Sequence, residues 1–151
     1  MKIVVQKTSK AQVIVDRQII GQISKGFVLF VGIKKGDTEN IAKKMAEKVA
    51  KLRIFEDENN KMNLSLKDAG GSVLAVSQFT LIADVKKGNR PSFIDAENPE
   101  KAKYLFDKFV EYLKEEGISV ETGQFQAYMQ VHIVNEGPTT ILLDSEEMVK
   151  S

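Results

Sequence analysis

A short cluster of hydroxyl and amide side chains follows the most apolar stretch of the chain. The apolar run after Gly70-Gly71 ends at Ser77, and Gln78-Phe79-Thr80 comes directly after it. Such a run predicts a strand buried on both faces, because it is too short for a free helix. Side chains alternate along a strand, so a bulge or turn near Gln78 is needed to bring the hydroxyls of Ser77 and Thr80 together. The cluster could then position a substrate, whereas the plainer interpretation is that its hydroxyls only hydrogen-bond the following turn.

The composition narrows the chemistry that such a cluster can use. The chain has no cysteine and a single histidine, His132. This excludes disulfides, thiolate nucleophiles and the usual zinc sites, and we expect no metal or cofactor. No acidic residue is spaced to orient His132 as a base, so we interpret it as a rim residue. Any hydrolysis must therefore proceed without a Ser-His-acid or Cys-His set.

Length and charge set the class of protein. The 151 residues fit one domain, and we expect residues 1–151 to form it. With 42% hydrophobic residues, no long apolar span and no signal-like start, the sequence predicts a soluble, cytoplasmic protein without membrane contact. The net charge of +1 gives no global attraction to nucleic acid, so only a local basic patch could supply one.

The elements that position the cluster are predicted mainly as strands. Segments rich in Val and Ile predict consecutive strands in the N-terminal third, with a nearly continuous apolar one at the centre of a sheet. Near the C-terminus apolar and polar residues alternate until the Gly137-Pro138 pair, which we interpret as a hairpin turn at a peptide bond that can adopt cis. The predicted strands cover residues 2–6, 11–15, 18–24, 26–33, 53–56, 72–77, 118–121, 127–134 and 141–144.

Two amphipathic helices complete the predicted fold. Apolar residues recur at helical spacing over 38–51 and 99–116, with Asp37 and Asn98 as the expected caps. We interpret the lysines of the first helix as a solvated face that matters only if an anionic partner is established elsewhere. The prediction is an α/β (α+β) fold in which a mostly antiparallel sheet curls into a barrel-like core flanked by two main helices.

A cationic loop follows the cluster along the chain. Residues 83–93 contain Lys86, Lys87 and Arg90, and Pro91 blocks regular structure there. Cations immediately downstream of a site are suited to holding a phosphate-bearing substrate. The alternative is an ordinary flexible surface loop.

Together these motifs resemble the D-aminoacyl-tRNA deacylase family. The resemblance rests on Ser77-Gln78-Phe79-Thr80-Leu81 combined with Asn135-x-Gly137-Pro138-x-Thr140. It extends over nearly the whole chain, and the order and spacing of the strings are specific although no single string is. The further matching strings are Arg53-Ile54-Phe55, Lys61-Met62-Asn63, Gly70-Gly71-Ser72-Val73-Leu74, Arg90-Pro91-Ser92-Phe93 and Thr122-Gly123-x-Phe125-x-Ala127-x-Met129.

The resemblance implies a hydrolase that cleaves D-aminoacyl-tRNA, and also glycyl-tRNA, at the 3′-terminal adenosine. It implies a homodimer in which a cis Gly137-Pro138 peptide of one subunit enters the partner's pocket and faces the α-carbon of the substrate. Thr139 departs from the apolar residue usual at its position. The implied catalytic residues are Ser77, Gln78, Phe79 and Thr80; those for substrate binding and chirality are Asn135, Gly137, Pro138, Thr140, Met129 and Phe125; those for tRNA binding are Lys86, Lys87 and Arg90.

The chemistry of an aminoacyl ester suits this cluster. The ester is already activated, so its cleavage needs a positioned water and an oxyanion hole, for which the backbone N–H groups of Phe79 and Thr80 are candidates. No base lies near Thr80 in the sequence to activate its hydroxyl as a nucleophile, so assistance by the ribose 2′-OH is favoured, with Thr80 as a positioning group. The competing hypotheses are a non-catalytic module that binds RNA 3′ ends and, less favoured, a small-molecule esterase, for which no Gly-x-Ser-x-Gly elbow exists.

Overall fold

A computed structural model describes residues 1–148 of the protein. Strands dominate the N-terminal third of the chain, and two long helices follow, separated by further strands. In chain order the elements are β1 (Lys2–Val15), β2 (Gln18–Ile23), β3 (Gly26–Gly32), α1 (Glu39–Lys51), β4 (Phe55–Glu56), β5 (Met62–Leu64), α2 (Leu66–Ala69), β6 (Ser72–Ser77), a 3₁₀ helix (Phe79–Ile82), α3 (Pro99–Glu115), β7 (Val120–Thr122), β8 (Gln130–Asp144) and α4 (Ser145–Met148).

Strand β1 organises the sheet. Its first half pairs antiparallel with β3, its second half with β2, and β8 runs antiparallel along most of its length. The prediction of two separate strands here was wrong, because the polar stretch between them is absorbed as an irregularity within one strand. The buried Thr8 hydroxyl donates to the Lys10 and Val134 carbonyls, which ties that irregularity to both strands.

The sheet curls into a nearly closed barrel, as predicted. Its strand order is β2-β1-β3-β6-β7, and the β3–β6 and β6–β7 pairs are parallel, so the sheet is mixed although antiparallel pairs predominate. The two ends of this order meet where Gly21 of β2 faces β7. A Cβ at Gly21 would lie 2.7 Å from the Thr122 carbonyl oxygen, so a side chain there would hold the seam open.

Two apolar clusters fill the two sides of the sheet. The barrel interior is packed by Ala11, Val13, Val15, Ile23, Val28, Leu74 and Val76. The larger cluster lies between the outer face of the sheet and helices α1 and α3, and both aromatic and aliphatic side chains contribute to it. Its fully buried members include Phe27, Leu29, Met45, Leu66, Leu105, Phe109 and Leu113.

The two main helices lie where the sequence predicts them, but one cap differs. Asn98 caps α3 by accepting a hydrogen bond from the Lys101 N–H, as expected. The cap of α1 is Thr38 rather than Asp37. Asp37 is instead buried, where its carboxylate accepts hydrogen bonds from the Met1 amino group and the Lys34 N–H, each at 2.8 Å. The prediction failed because a local cap pattern cannot reveal a partner 36 residues away.

Strand β8 passes through the Gly-Pro pair without a hairpin, so that prediction was also wrong. Thr8 pairs with Asn135 and Gln6 with Thr140, which leaves one residue of β1 opposite four of β8. The excess residues form a bulge, which we name the Gly-Pro bulge and define as residues 136–139. The Asn135 side-chain amide closes this bulge by donating to the Lys7 and Thr139 carbonyls, each at 2.9 Å. The Gly137-Pro138 peptide bond is cis.

Candidate active site

The chain leaves the sheet abruptly after β6. The Gln78 N–H still donates to the Val31 carbonyl at 2.8 Å, and the chain then turns into the 3₁₀ helix Phe79–Ile82. The Leu81 N–H donates back to the Gln78 carbonyl at 3.3 Å and closes this turn. The turn expected near Gln78 is therefore present, and it carries Phe79 and Thr80 out of the buried strand.

Two backbone donors remain free at this turn. The first residues of a helix have no preceding carbonyl to receive their N–H groups. Within residues 1–148, no acceptor satisfies the N–H of Phe79 or of Thr80. Both residues are exposed, so these N–H groups are available to a ligand.

A large cleft opens beside the turn. It has a volume of about 960 Å³, and apolar groups form most of its surface. One wall is made by Ser77, Gln78, Phe79 and Thr80, and the β7–β8 connection brings Phe125 and Met129 to another. The remaining lining residues are Phe30, Ile33, Lys35, Val76, Phe93, Ile94, Ala96, Glu97, Asn98, Pro99, Ala102, Gln126, Ala127, Tyr128 and Val131.

The polar side chains of the cluster are unengaged. Within residues 1–148, the hydroxyls of Ser77 and Thr80 form no hydrogen bond with another side chain. The side-chain amide of Gln78 forms none either. Among residues 1–148, Glu97 is the one residue with a carboxylate that lines this cleft. That carboxylate already accepts a hydrogen bond from the Asn98 N–H at 2.9 Å and lies 3.4 Å from the Lys101 ammonium. The cleft therefore offers Thr80 no free carboxylate among the described residues that line it.

Phe79 links the cleft to the cationic loop. Its ring packs edge-to-face on Phe93, with ring centroids 5.0 Å apart, although 58% of Phe79 is exposed. The Asp84 and Ser92 backbones close the loop through two hydrogen bonds of 2.7 and 2.9 Å. Lys86, Lys87 and Arg90 are all exposed on this loop and do not line the cleft itself. The loop that carries these cations connects Thr80 to Phe93, and both of these residues line the cleft.

The Gly-Pro bulge does not reach the cleft of its own chain. Gly137 and Pro138 are exposed on β8, and neither lines the cleft. Asn135 is used in closing the bulge, while Thr140 accepts a hydrogen bond from the Gln6 amide at 3.3 Å. The structure thus brings Ser77, Gln78, Phe79, Thr80, Phe125 and Met129 together and leaves Asn135, Gly137, Pro138 and Thr140 elsewhere on the same chain.

One wall of the cleft was missed from the sequence. Lys35 lies there because its N–H donates to the Asp95 carbonyl, and the Glu97 N–H similarly donates to the Ile33 carbonyl. These hydrogen bonds join segments about 60 residues apart in the sequence, and no periodic sequence pattern indicates them. The only local signal was the position of Phe93 in the Arg90-Pro91-Ser92-Phe93 string.

Among residues 1–148, no group with a shifted pKa lines the cleft. Hydrogen bonds from the Asn63 amide and from the Lys61 and Asn59 N–H groups lower the pKa of Asp57. The Lys34–Glu146 ion pair raises the pKa of the lysine and lowers that of the glutamate. These groups stabilise a turn and the packing of α4, so they give no sign of acid–base catalysis.

Within residues 1–148, no group of three or more His, Cys, Asp or Glu side chains is arranged to hold a metal ion. None of the helices in this part of the chain is long and apolar enough to cross a membrane.

Comparison with known proteins adds to this geometry. The family model described as D-Tyr-tRNA(Tyr) deacylase matches residues 4–144. A D-aminoacyl-tRNA deacylase of Thermotoga petrophila is 55% identical over 148 residues, which make up 98% of this chain and 99% of that protein. The solved structure named c-Myc DNA Unwinding Element Binding Protein is similar with a TM-score of 0.90 at 41% identity, covering 96% of this chain and 99% of that one. A structure described as a probable eukaryotic D-amino acid tRNA deacylase shares the fold, with a TM-score of 0.82 at 16% identity, over 94% of this chain and 97% of its own.

Proposed function

The chain belongs to the D-Tyr-tRNA(Tyr) deacylase family, and from this premise we propose that it hydrolyses the ester bond of D-aminoacyl-tRNA. The products are the free D-amino acid and tRNA, so the activity removes D-amino acids before they enter translation. The observation that carries the proposal is the pair of free N–H groups, on Phe79 and Thr80, beside the large cleft. Such a pair is what an acyl-transfer reaction requires for its oxyanion.

We propose the following roles for the cluster. The Phe79 and Thr80 N–H groups bind the oxyanion that forms when water attacks the ester carbonyl. The bond from the carbonyl carbon to the ribose oxygen then breaks, and that oxygen takes up the proton that the attacking water gives up. Ser77 and Gln78 line the reaction centre, and their free polar groups hold the water and the ribose.

Thr80 positions the substrate and does not attack it in this proposal. An unassisted threonine hydroxyl is a weak nucleophile, and the only carboxylate that lines the cleft within residues 1–148 is occupied by Asn98 and Lys101. The neighbouring 2′-OH of the terminal ribose supplies the assistance instead. An acyl-threonine intermediate is therefore not formed.

In this proposal the chirality of the substrate is recognised at the interface of a homodimer. Since Gly137 and Pro138 are exposed and do not line the cleft of their own chain, they are free to enter the cleft of a second copy. There the carbonyl groups around Gly137 and Pro138 exclude an L side chain by steric clash and accept a hydrogen bond from the amino group of the D isomer. Phe125 and Met129 form the apolar wall opposite, and Asn135 and Thr140 hold the bulge on β1. Glycine has no side chain to exclude, so glycyl-tRNA is also hydrolysed.

The rest of the substrate is an RNA chain. Lys86, Lys87 and Arg90 are exposed on the loop between Thr80 and Phe93, and in this proposal they contact phosphates next to the terminal adenosine. Residues 1–151 act as one domain in the cytoplasm, where aminoacyl-tRNA is used, and need no metal or cofactor.

The test compares D-tyrosyl-tRNA with L-tyrosyl-tRNA. We expect release of D-tyrosine by catalytic amounts of protein, with L-tyrosyl-tRNA left intact. Binding of both charged tRNAs without release of either amino acid would contradict the proposal and support the alternative of a module that binds RNA 3′ ends. The solved relative named as a DNA-unwinding-element binding protein makes this control worthwhile, because its name describes binding alone.

A further inference from the structure

Three lysines converge on a shallow depression away from the cleft. Lys44, Lys48 and Lys51 lie on one face of α1, spaced four and three residues apart, and line a concavity of about 270 Å³ together with Glu47 and Met148. All three lysines are exposed, and none forms an ion pair within residues 1–148. Like charges at this spacing repel one another, and an approaching anion relieves that repulsion.

The surroundings do not neutralise this face. Glu47 is the one acidic side chain that lines the depression, so an excess of positive charge remains. On α4, which contributes Met148, the Glu146 carboxylate is already paired with Lys34 at 2.6 Å, and Glu147 does not line the depression. The three ammonium groups are therefore available to a partner that carries several negative charges.

We propose that this lysine face, defined as Lys44, Lys48 and Lys51, binds the phosphate backbone of the tRNA substrate beyond its 3′ end. A nucleic-acid backbone presents regularly spaced negative charges, and exposed lysines that form phosphate contacts release counterions from it. A membrane surface is a poorer match, because the apolar face of α1 is buried in the core and has nothing to insert. The inference rests on the proposed tRNA substrate and names a second contact on it.

The position of α1 relative to the cleft supports this assignment. Lys35, which lines the cleft, precedes α1 by only a few residues, and Glu39 in the first turn of α1 accepts a hydrogen bond from Tyr104 of α3. Helix α3 in turn begins at the cleft with Pro99. From that end α1 extends for about 20 Å, with Lys44 nearer to the cleft and Lys51 at the far end. For a tRNA whose 3′ end is in the cleft, the lysine face offers a cationic surface on the helix that follows this cleft wall.

The test replaces the three lysines together. Alanine is a strong helix former and the positions are exposed, so K44A/K48A/K51A is expected to fold. The matched control is K61A/K67A/K114A, which removes the same charge from exposed lysines elsewhere. A second variant, K44R/K48R/K51R, retains the charge of the face.

Two measurements separate phosphate contact from other effects. The first is affinity for uncharged tRNA by fluorescence anisotropy at about 50 and about 200 mM salt. Each phosphate contact contributes about 0.7 to 0.9 to the slope of log affinity against log salt, so the ratio of parent to alanine-variant affinity should grow about 20- to 40-fold at the lower salt. The second is kcat/KM for D-tyrosyl-tRNA and for D-tyrosyl-adenosine, which lacks the backbone.

We expect the alanine variant to lose kcat/KM on D-tyrosyl-tRNA through KM, with D-tyrosyl-adenosine hydrolysed at the parent rate and the arginine variant unaffected. Equal losses in the alanine variant and the matched control would overturn the inference, because they would reflect net charge alone. An unchanged salt slope would overturn it too. If the parent protein hydrolyses neither substrate, it is the proposed function that fails, and the salt slope still decides whether the lysine face binds RNA.

Discussion

The buried carboxylate of Asp37 allows a quantitative test of the fold. Asp37 is 5% exposed, and its carboxylate lies 2.8 Å from the Met1 amino group. The substitution Asp37→Asn removes the negative charge, keeps the shape and leaves the Met1 ammonium without its counterion. Breaking a buried ion pair by removing one partner costs about 3 to 5 kcal/mol in the free energy of unfolding. For a domain of this size that loss corresponds to a fall in Tm of about 6 to 20 °C.

The same substitution separates the observed role from the one predicted by the sequence pattern. Asn and Asp are equally good N-caps, so Asp37→Asn would cost almost nothing if Asp37 capped α1. The observed cap is Thr38, and Thr38→Ala should cost about 1 kcal/mol. As a matched control, Asp107→Asn removes a carboxylate from an exposed pair with Lys103 and should cost about 1 kcal/mol or less.

Urea unfolding at one fixed protein concentration measures these differences. The concentration must be fixed because dimerisation would make the apparent stability depend on it. The protein must begin at Met1, since any N-terminal addition removes the charged amine. A loss below about 1 kcal/mol in Asp37→Asn, with Thr38→Ala costing more, would refute the buried pair.

Three further predictions concern catalysis, assembly and pH. Thr80→Ala should retain measurable deacylation, whereas a substrate ending in 2′-deoxyadenosine should react about 10² to 10³ times more slowly; a trapped acyl-threonine would contradict this. Gly137→Ala should distort the Gly-Pro bulge, because Gly137 has a φ of +115° and a Cβ there would lie 2.5 Å from the Thr139 hydroxyl. Mixing this variant with Phe79→Pro, which lacks one of the two N–H donors of the oxyanion hole, should restore one intact site per mixed dimer, and no recovery would count against a shared site. The lowered pKa of Asp57 predicts a stabilising contribution that is complete above the ordinary carboxyl pKa and is lost as pH falls through the lowered value; carboxyl chemical shifts should show this pKa rising in Asn63→Ala.

The local sequence pattern was sufficient to predict the helices and the strand that precedes the site. The apolar stripe over Pro99–Glu115 and the cap at Asn98 depend on neighbours three to four residues apart, which a sequence displays directly. The apolar run of β6 likewise predicted both its burial and the point where polar groups begin. These features are set by contacts close in sequence.

Features that depend on distant partners could not be predicted. The interruption in β1 and the Gly-Pro pair in β8 both looked like strand ends, yet each is accommodated because the other strand continues beside it. The role of Asp37 requires Met1, and the position of Lys35 in the cleft requires Asp95. None of these pairs has a signature within a window of adjacent residues.

The Gly-Pro bulge also has a consequence for solubility. Strand β8 pairs only with β1 among the strands of residues 1–148, so its other edge is a long row of unpaired backbone groups. Such an edge is a template on which another chain can add a strand and begin to aggregate. The bulge divides this edge into two short segments, and Pro138 contributes no N–H to a new ladder. Straightening the bulge would therefore do more than disturb a binding loop, because it would expose a continuous edge to self-association.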